Sequence, residues 1–453
     1  MLEILNPATE EVVERIEQAT AEDADRAVAR AKKAFPAWRD VAPADRSRLL
    51  RRLADKLEAE RENLAQLESK DTGKPIGDAR GEMGMVADTF HYYAGMPERL
   101  LGDQIPVSGG VDVTFREPLG VVGLIVPWNF PLTIASWKMA PALAAGNTVV
   151  LKPAELTPLT ALLFERLARE AGIPEGVVNV LVGPGSVVGQ TLVEHEDVAK
   201  VAFTGSTAVG RGIMAGASGT IKRVTLELGG KSANVVFADA DLERAALSAP
   251  GAVFGNAGQD CCARSRILVQ KSVFDEFLDK MKPIVEALKV GDPLDEKTEM
   301  GPLISADHRE RVAAYVPEDA PVAVRGRAPE GSGFWFPPTV LAPVSNEDKA
   351  AREEIFGPVV AVIPFDDEDD AVRQANDTPY GLSGSVWTEN GAKALRVARR
   401  IETGVLSINS NTSVRVATPF GGFKQSGVGR ELGPHALDHY TEVKNVYIST
   451  EGN

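Results

Sequence analysis

Val121-Val122-Gly123-Leu124-Ile125-Val126-Pro127-Trp128-Asn129-Phe130-Pro131 is the stretch on which the fold turns. An apolar run without alternation is what a strand covered on both faces requires. It stops at Pro127, and helical spacing follows to about Leu143. The same unit then repeats. Thr148-Val149-Val150-Leu151-Lys152 is a strand, Pro153-Ala154-Glu155 a turn, and a helix starts near Thr157. Residues 177–182 form a third strand, followed by Gly183-Pro184-Gly185-Ser186. Residues 201–203 form a fourth, followed by Thr204-Gly205-Ser206-Thr207-Ala208-Val209-Gly210 and a helix. Strands alternating with helices imply a doubly wound parallel sheet with right-handed crossovers. Ligands of such sheets bind beyond the carboxyl ends of the strands, where every one of these turns falls.

Working outward, residues 102–118 alternate at period two around Gly109-Gly110 and read as a projecting β-hairpin. Before it, helical spacing marks residues 21–35 and 78–100, with one long helix after Pro43 that Gly73 and Pro75 end. These charged helices are expected to form an outer layer, and residues 6–20 an extended lead-in. Beyond Glu227 the strand–helix grammar restarts at Ala233-Asn234-Val235-Val236-Phe237, so a second α/β domain is expected from about 230. Asp366-Asp367-Glu368-Asp369-Asp370 precedes a helix and reads as a solvated first turn.

Composition narrows the function. The 453 residues carry a net charge of −15, which disfavours nucleic acid, since its binding rests on Lys and Arg. No apolar run approaches the ~20 residues of a membrane helix. The N-terminus has no secretory pattern. The five histidines are scattered, so no metal is expected. The only two cysteines are adjacent, which argues for a reducing, cytoplasmic setting.

That pair sits in Phe254-Gly255-Asn256-Ala257-Gly258-Gln259-Asp260-Cys261-Cys262-Ala263. The polar, Gly-rich flanks suit an exposed tight loop, and a thiolate nucleophile is the first hypothesis. The turn at Gly205-Ser206 opens a helix whose free N–H groups suit a pyrophosphate; a purely structural glycine turn would look the same. Lys152 and Glu155 end a neighbouring strand and suit the hydroxyls of a ribose, where a carboxylate favours NAD over NADP. Glu227, before Leu228-Gly229-Gly230-Lys231, would there be able to activate a water; a generic strand-end Glu would look the same.

Together these motifs resemble the NAD(P)-dependent aldehyde dehydrogenase superfamily of non-acylating, hydrolytic type, over nearly the whole chain. Glu354-Ile355-Phe356-Gly357-Pro358-Val359, Pro419-Phe420-Gly421-Gly422-Phe423-Lys424 and Ser426-Gly427-Val428-Gly429-Arg430-Glu431 complete the set. The resemblance implies an α/β fold with two doubly wound domains: a Rossmann-like cofactor domain (1–101 and 119–229) and a catalytic domain (230–432). It also implies an oligomerisation arm (102–118 and 433–453) and hence a homodimer or homotetramer. By position in the motifs, Cys261 resembles the nucleophile, Asn129 the oxyanion donor and Glu227 the base, with Lys138 and Glu431 relaying protons.

The implied cofactor contacts are Val126, Pro127, Trp128, Lys152, Ala154 and Glu155, then Gly185, Gly189, Phe203, Thr204, Gly205, Ser206, Gly210 and Leu228, then Glu354 and Phe356. The implied substrate tunnel has Phe130, Ile134, Trp137, Cys262, Val414 and Phe420, with Asp260 and Arg415 as charged candidates. Asp260 would suit a cationic aminoaldehyde and Arg415 an anionic semialdehyde. The implied reaction takes an aldehyde to its acid through a thiohemiacetal and a thioester at Cys261. The alternatives are a CoA-acylating dehydrogenase, disfavoured by the presence of Glu227, and a non-catalytic NAD-binding protein. Two features depart from the family pattern: the chain starts close to Asn6-Pro7, and Arg264 stands where the family often has Gly.

Overall fold

The computed structural model describes residues 1–412 and 414–451. Its first sheet has six strands, ordered Gly427–Val428, Arg223–Glu227, Val198–Thr204, Val121–Ile125, Thr148–Lys152 and Val178–Val180. All neighbours are parallel except Gly427–Val428, which runs antiparallel to Arg223–Glu227. The apolar run behaves as its composition requires. Val122 and Leu124 join one core, with Leu50, Leu53, Leu57, Met83 and Phe90. Val121 and Ile125 join another, with Ala27, Val28 and Ala31. The N-terminal helices therefore cover both faces of the sheet.

One expectation needs correction. The helix after Pro43 is two helices, Pro43–Ala59 and Arg61–Thr72, because Glu60 (φ −95°, ψ 8°) leaves helical geometry between them. Within the span 230–432, Gly427–Val428 pairs with Arg223–Glu227 of the first sheet. Two residues of edge pairing carry no periodicity a sequence could reveal. The helix stop at Gly73 stands, with φ at +77°.

The second sheet has seven strands, ordered Val322–Arg325, Thr339–Leu341, Val359–Phe365, Arg266–Gln270, Ala233–Val236, Ser383–Trp387 and Val405–Ile408. It is parallel apart from its first strand. The acidic run caps the helix Glu368–Asn376, with Asp367 accepting from Asp370 N. A third, three-stranded antiparallel sheet pairs the hairpin Gln104–Val107 and Gly110–Pro118 with Thr441–Ser449 near the C-terminus. No described helix is long and apolar enough to cross a membrane.

Candidate active site

In the first sheet Val121–Ile125 lies between Thr148–Lys152 and Val198–Thr204, so the strand order reverses there. At the carboxyl ends of this switch point opens a cavity of about 290 Å³. Pro127, Trp128, Thr204, Gly205 and Ser206 line it from the first sheet, and Cys261, Glu354 and Phe356 from the second half of the chain.

The nucleophile turn begins where the helix Leu242–Phe254 ends. Asn256, Ala257 and Gly258 take φ of +49°, +55° and +70° in succession. At Gly258 a Cβ would lie 2.2 Å from Gly357 O, so no side chain fits. The turn is tight as expected but not exposed, since Asn256, Ala257, Gly258 and Gln259 are all buried. Its polar groups bond to one another and to neighbouring backbone, which is how a Gly/Asn/Gln turn survives burial. Asp260 Oδ1 accepts from Cys262 N at 2.8 Å. Arg264, unexplained by the sequence, is buried beneath the turn. It donates to Cys262 O (2.5 Å), Ser383 Oγ (2.8 Å) and Ser385 Oγ (2.8 Å), tying the turn to the strand Ser383–Trp387.

Cys261 reaches the cavity, whereas Cys262 is buried; both are free thiols. A hydrogen bond with Cys262 and burial push Cys261 well above the usual thiol range. Asn129 Nδ2 donates to Gln259 O at 2.8 Å. Glu227 ends the strand Arg223–Glu227, is buried, and has one carboxylate oxygen without a partner among the described residues. Burial, reinforced by the nearby Glu431, raises its pKa well above the ordinary value. Lys138 Nζ and Glu431 Oε1 form an ion pair of 2.7 Å, fully enclosed.

The cofactor candidates divide into two groups. Ser206 caps the helix Thr207–Ala217, and Thr204 Oγ1 is buried without a partner among the described residues. A Cβ at Gly229 would lie 2.2 Å from Glu354 Oε2, and one at Gly210 2.6 Å from Leu228. Glu354 Oε1 accepts from Gly230 N at 2.9 Å, and burial raises its pKa to about 7. Phe356 packs edge-on to Trp128 at 5.3 Å. A helix N-terminus, an unpaired hydroxyl, a carboxylate and apolar walls together fit a dinucleotide. Lys152, Ala154, Glu155, Gly185 and Gly189 follow the adjacent strands without lining the cavity, and Val126, Phe203 and Gly210 do not line it either.

Of the substrate candidates, Phe130 and Ile134 line the cavity. Trp137, Phe420 and Cys262 share one apolar cluster with Ile134, against which Phe130, Cys261 and Val414 pack; Trp137 meets Phe420 edge-on at 5.1 Å. Asp260 carboxylate and the two sulfurs lie within 4.8 Å of one another. Arg415 is elsewhere, exposed in a separate surface cavity with Glu58, Asp88 and His91. The sequence reading missed His308, Arg311 and Tyr315, which also line the main cavity. His308 Nε2 bonds Phe356 O at 2.7 Å and its ring meets Trp128 at 5.6 Å. These three lie on or just after the helix Ala306–Ala313, whose pattern is that of an ordinary amphipathic helix.

A family model described as "Aldehyde dehydrogenase family" matches residues 1–446. An aldehyde dehydrogenase of Aspergillus niger is 45% identical over 452 residues, covering 98% of this chain and 91% of its own. The betaine aldehyde dehydrogenase of Bacillus subtilis is 43% identical over 460 residues, covering 99% and 94%. The crystal structure of betaine aldehyde dehydrogenase from Staphylococcus aureus in complex with NAD+ matches with a TM-score of 0.97 and 40% identity, covering 100% of this chain and 92% of that one.

Proposed function

The chain belongs to the aldehyde dehydrogenase family, and we propose that it oxidises an aldehyde to its carboxylic acid with NAD, using Cys261 as nucleophile, Asn129 as oxyanion donor and Glu227 as base. The observation that carries the assignment is convergence. Cys261 and Asn129 line one cavity, the Asn129 amide is hydrogen-bonded to Gln259 two residues before Cys261, and Glu227, directly before the lining Leu228 and within electrostatic reach of Cys262, is buried with a carboxylate oxygen unpaired among the described residues.

Cys261 Sγ, once deprotonated, adds to the aldehyde carbon, and the oxygen that gains charge is held by the free N–H of Asn129 and the Cys261 backbone N–H. NAD, when bound, supplies the hydride acceptor that takes this adduct to the thioester level. Ser206, Gly205, Thr204, Glu354 and Phe356 are the groups that would hold it. Glu227 then removes a proton from water, whose oxygen attacks the thioester carbon; the C–S bond breaks, Cys261 is released and the acid leaves. A carboxylate with a raised pKa suits that step, because a base is most effective near its own pKa. The Lys138–Glu431 pair offers the proton its next station.

Asp260, beside the thiols, favours a cationic aminoaldehyde, in keeping with the betaine aldehyde dehydrogenases among the similar proteins. Arg415 offers no support for an anionic semialdehyde, since it lines a different cavity. Exposed Phe115, Val443, Tyr447 and Ile448 on the three-stranded sheet support a homodimer or homotetramer joined there. The two free, adjacent cysteines suit a reducing cytoplasm.

The test is NADH formation with acetaldehyde, 4-aminobutanal and succinate semialdehyde, each with and without CoA, on the parent and on Cys261→Ala. Oxidation independent of CoA, highest with 4-aminobutanal and lost in Cys261→Ala with NAD still bound, is expected. Turnover retained in Cys261→Ala removes the mechanism, and an absolute need for CoA moves the protein to the acylating class.

A further inference from the structure

Lys74 enters the sequence only as part of a helix stop, Thr72-Gly73-Lys74-Pro75, yet its ammonium is fully enclosed. Nζ meets Glu82 Oε2 at 2.5 Å, donates to Asn129 O at 3.0 Å, and lies 4.3 Å from the centre of the Phe130 ring. Glu68 Oε1 is 3.9 Å away. A buried lysine is costly unless paired, and a lysine that only needed a partner would be satisfied by Glu82 and Glu68. This one spends a donor on the backbone of the residue assigned to the oxyanion.

The hydrogen bonds around Asn129 close into a ring. Asn129 O also accepts from Asn256 Nδ2 (3.1 Å), which reaches Gln259 O (3.3 Å), and Gln259 O accepts from Asn129 Nδ2 (2.8 Å). The ring joins the Pro127–Pro131 turn of the first sheet to the nucleophile turn of the second unit. Lys74 is its only charged contact among the described residues, and it approaches from the N-terminal helices. The backbone of Lys74 is itself held, with N on Thr72 Oγ1 (3.2 Å) and O accepting from Ser69 Oγ (2.6 Å). Its second partner, Glu82, accepts from Thr133 on the helix that follows Asn129, at 3.4 Å.

We propose that Lys74 is a positioning residue for the oxyanion hole: its ammonium fixes the Asn129 peptide so that the free Asn129 N–H points at the developing oxyanion. The inference rests on the assignment of Asn129 as oxyanion donor. A donor shifted by about 1 Å costs on the order of 10²-fold in rate, so loss of the Lys74 contact should show in the acylation step before it shows in binding.

The experiment is a double-mutant cycle on the full-length protein, with Lys74→Met, Asn129→Ala and the pair together. Three quantities are read: the rate of the first NADH burst, the rate of Cys261 alkylation by iodoacetamide, which needs no oxyanion, and the Kd for NAD. Lys74→Met is expected to slow the burst about 30-fold, with alkylation and NAD Kd within about twofold of the parent. Lys74→Arg should restore part of the rate. The double variant should be no slower than Asn129→Ala alone, because without the amide there is nothing left to position.

A Lys74→Met burst at the parental rate overturns the proposal. So does a double variant in which the two losses multiply, or a loss of alkylation in step with the burst, which marks general loosening. An Asn129→Ala burst at the parental rate instead overturns the assignment of Asn129, and this inference with it. Should Lys74→Met not fold, Lys74→Gln carries the same cycle, since it shortens the side chain and removes the charge that reaches Asn129 O, and a parental burst there overturns the proposal equally.

Discussion

Replacing Glu227 with Gln should divide the reaction in two. Glu227 is buried at the end of the strand Arg223–Glu227, with one carboxylate oxygen unpaired among the described residues. Glutamine fills the same volume, so no cavity forms, and the substitution removes only the capacity to take a proton. Loss of a positioned general base costs about 10²- to 10⁴-fold in the step it serves. At about 1.4 kcal/mol per tenfold, that is roughly 3–5 kcal/mol on thioester hydrolysis. The acylating groups should be spared, since the Asn129–Gln259 bond of 2.8 Å belongs to the nucleophile turn and does not involve Glu227. Stopped-flow absorbance should then record a single burst of NADH, equal in amount to the active sites and close to the parental rate, followed by steady turnover lowered at least 10²-fold. Undiminished steady turnover would refute Glu227 as the base. A burst that vanishes together with turnover would show that Glu227 acts before the thioester, on Cys261 itself.

Two further perturbations test the geometry around that step. A methyl group at Gly230 would lie 2.4 Å from Cys261 O, so Gly230→Ala must displace the backbone of Cys261, and kcat should fall about 10²-fold while NAD affinity, read by calorimetry, stays within a few-fold. Burial raises the Glu354 pKa from 4.5 to about 7, so the folded state keeps a proton that the unfolded chain releases. That stabilisation is complete below the unfolded value and disappears as pH rises towards 7, a loss of about 3 kcal/mol. Glu354→Gln should therefore lose less thermal stability than the parent between about pH 5 and about pH 8, and an identical decline in both would contradict the proton uptake.

Much of this protein can be read from the chain. The run from Val121 to Pro131 specifies a strand covered on both faces and a turn at its carboxyl end, because an unbroken apolar stretch has no other stable location. The Gly-rich turns at Gly205 and Gly258 mark where backbone must pass close to other groups, and at Gly258 the 2.2 Å approach of Gly357 O explains why. What the chain could not reveal depends on contacts between distant segments. The burial of the turn that carries Cys261 and the return of Gly427–Val428 to the first sheet both arise from packing between distant segments. His308 lies on a helix of unremarkable pattern, and its place at the cavity rests on contacts with Phe356 O and the Trp128 ring, both far away in sequence. Arg264 and Lys74 make the point most directly. Each is a single charged residue with no local signal, and each becomes legible only when tertiary structure strips away its water and hands it a backbone carbonyl at the active site: Cys262 O for Arg264 and Asn129 O for Lys74. Local sequence determines which elements form, since periodicity and turn chemistry act over a few residues. Which buried charge meets which carbonyl is decided by desolvation, and that exists only once the chain has closed around it.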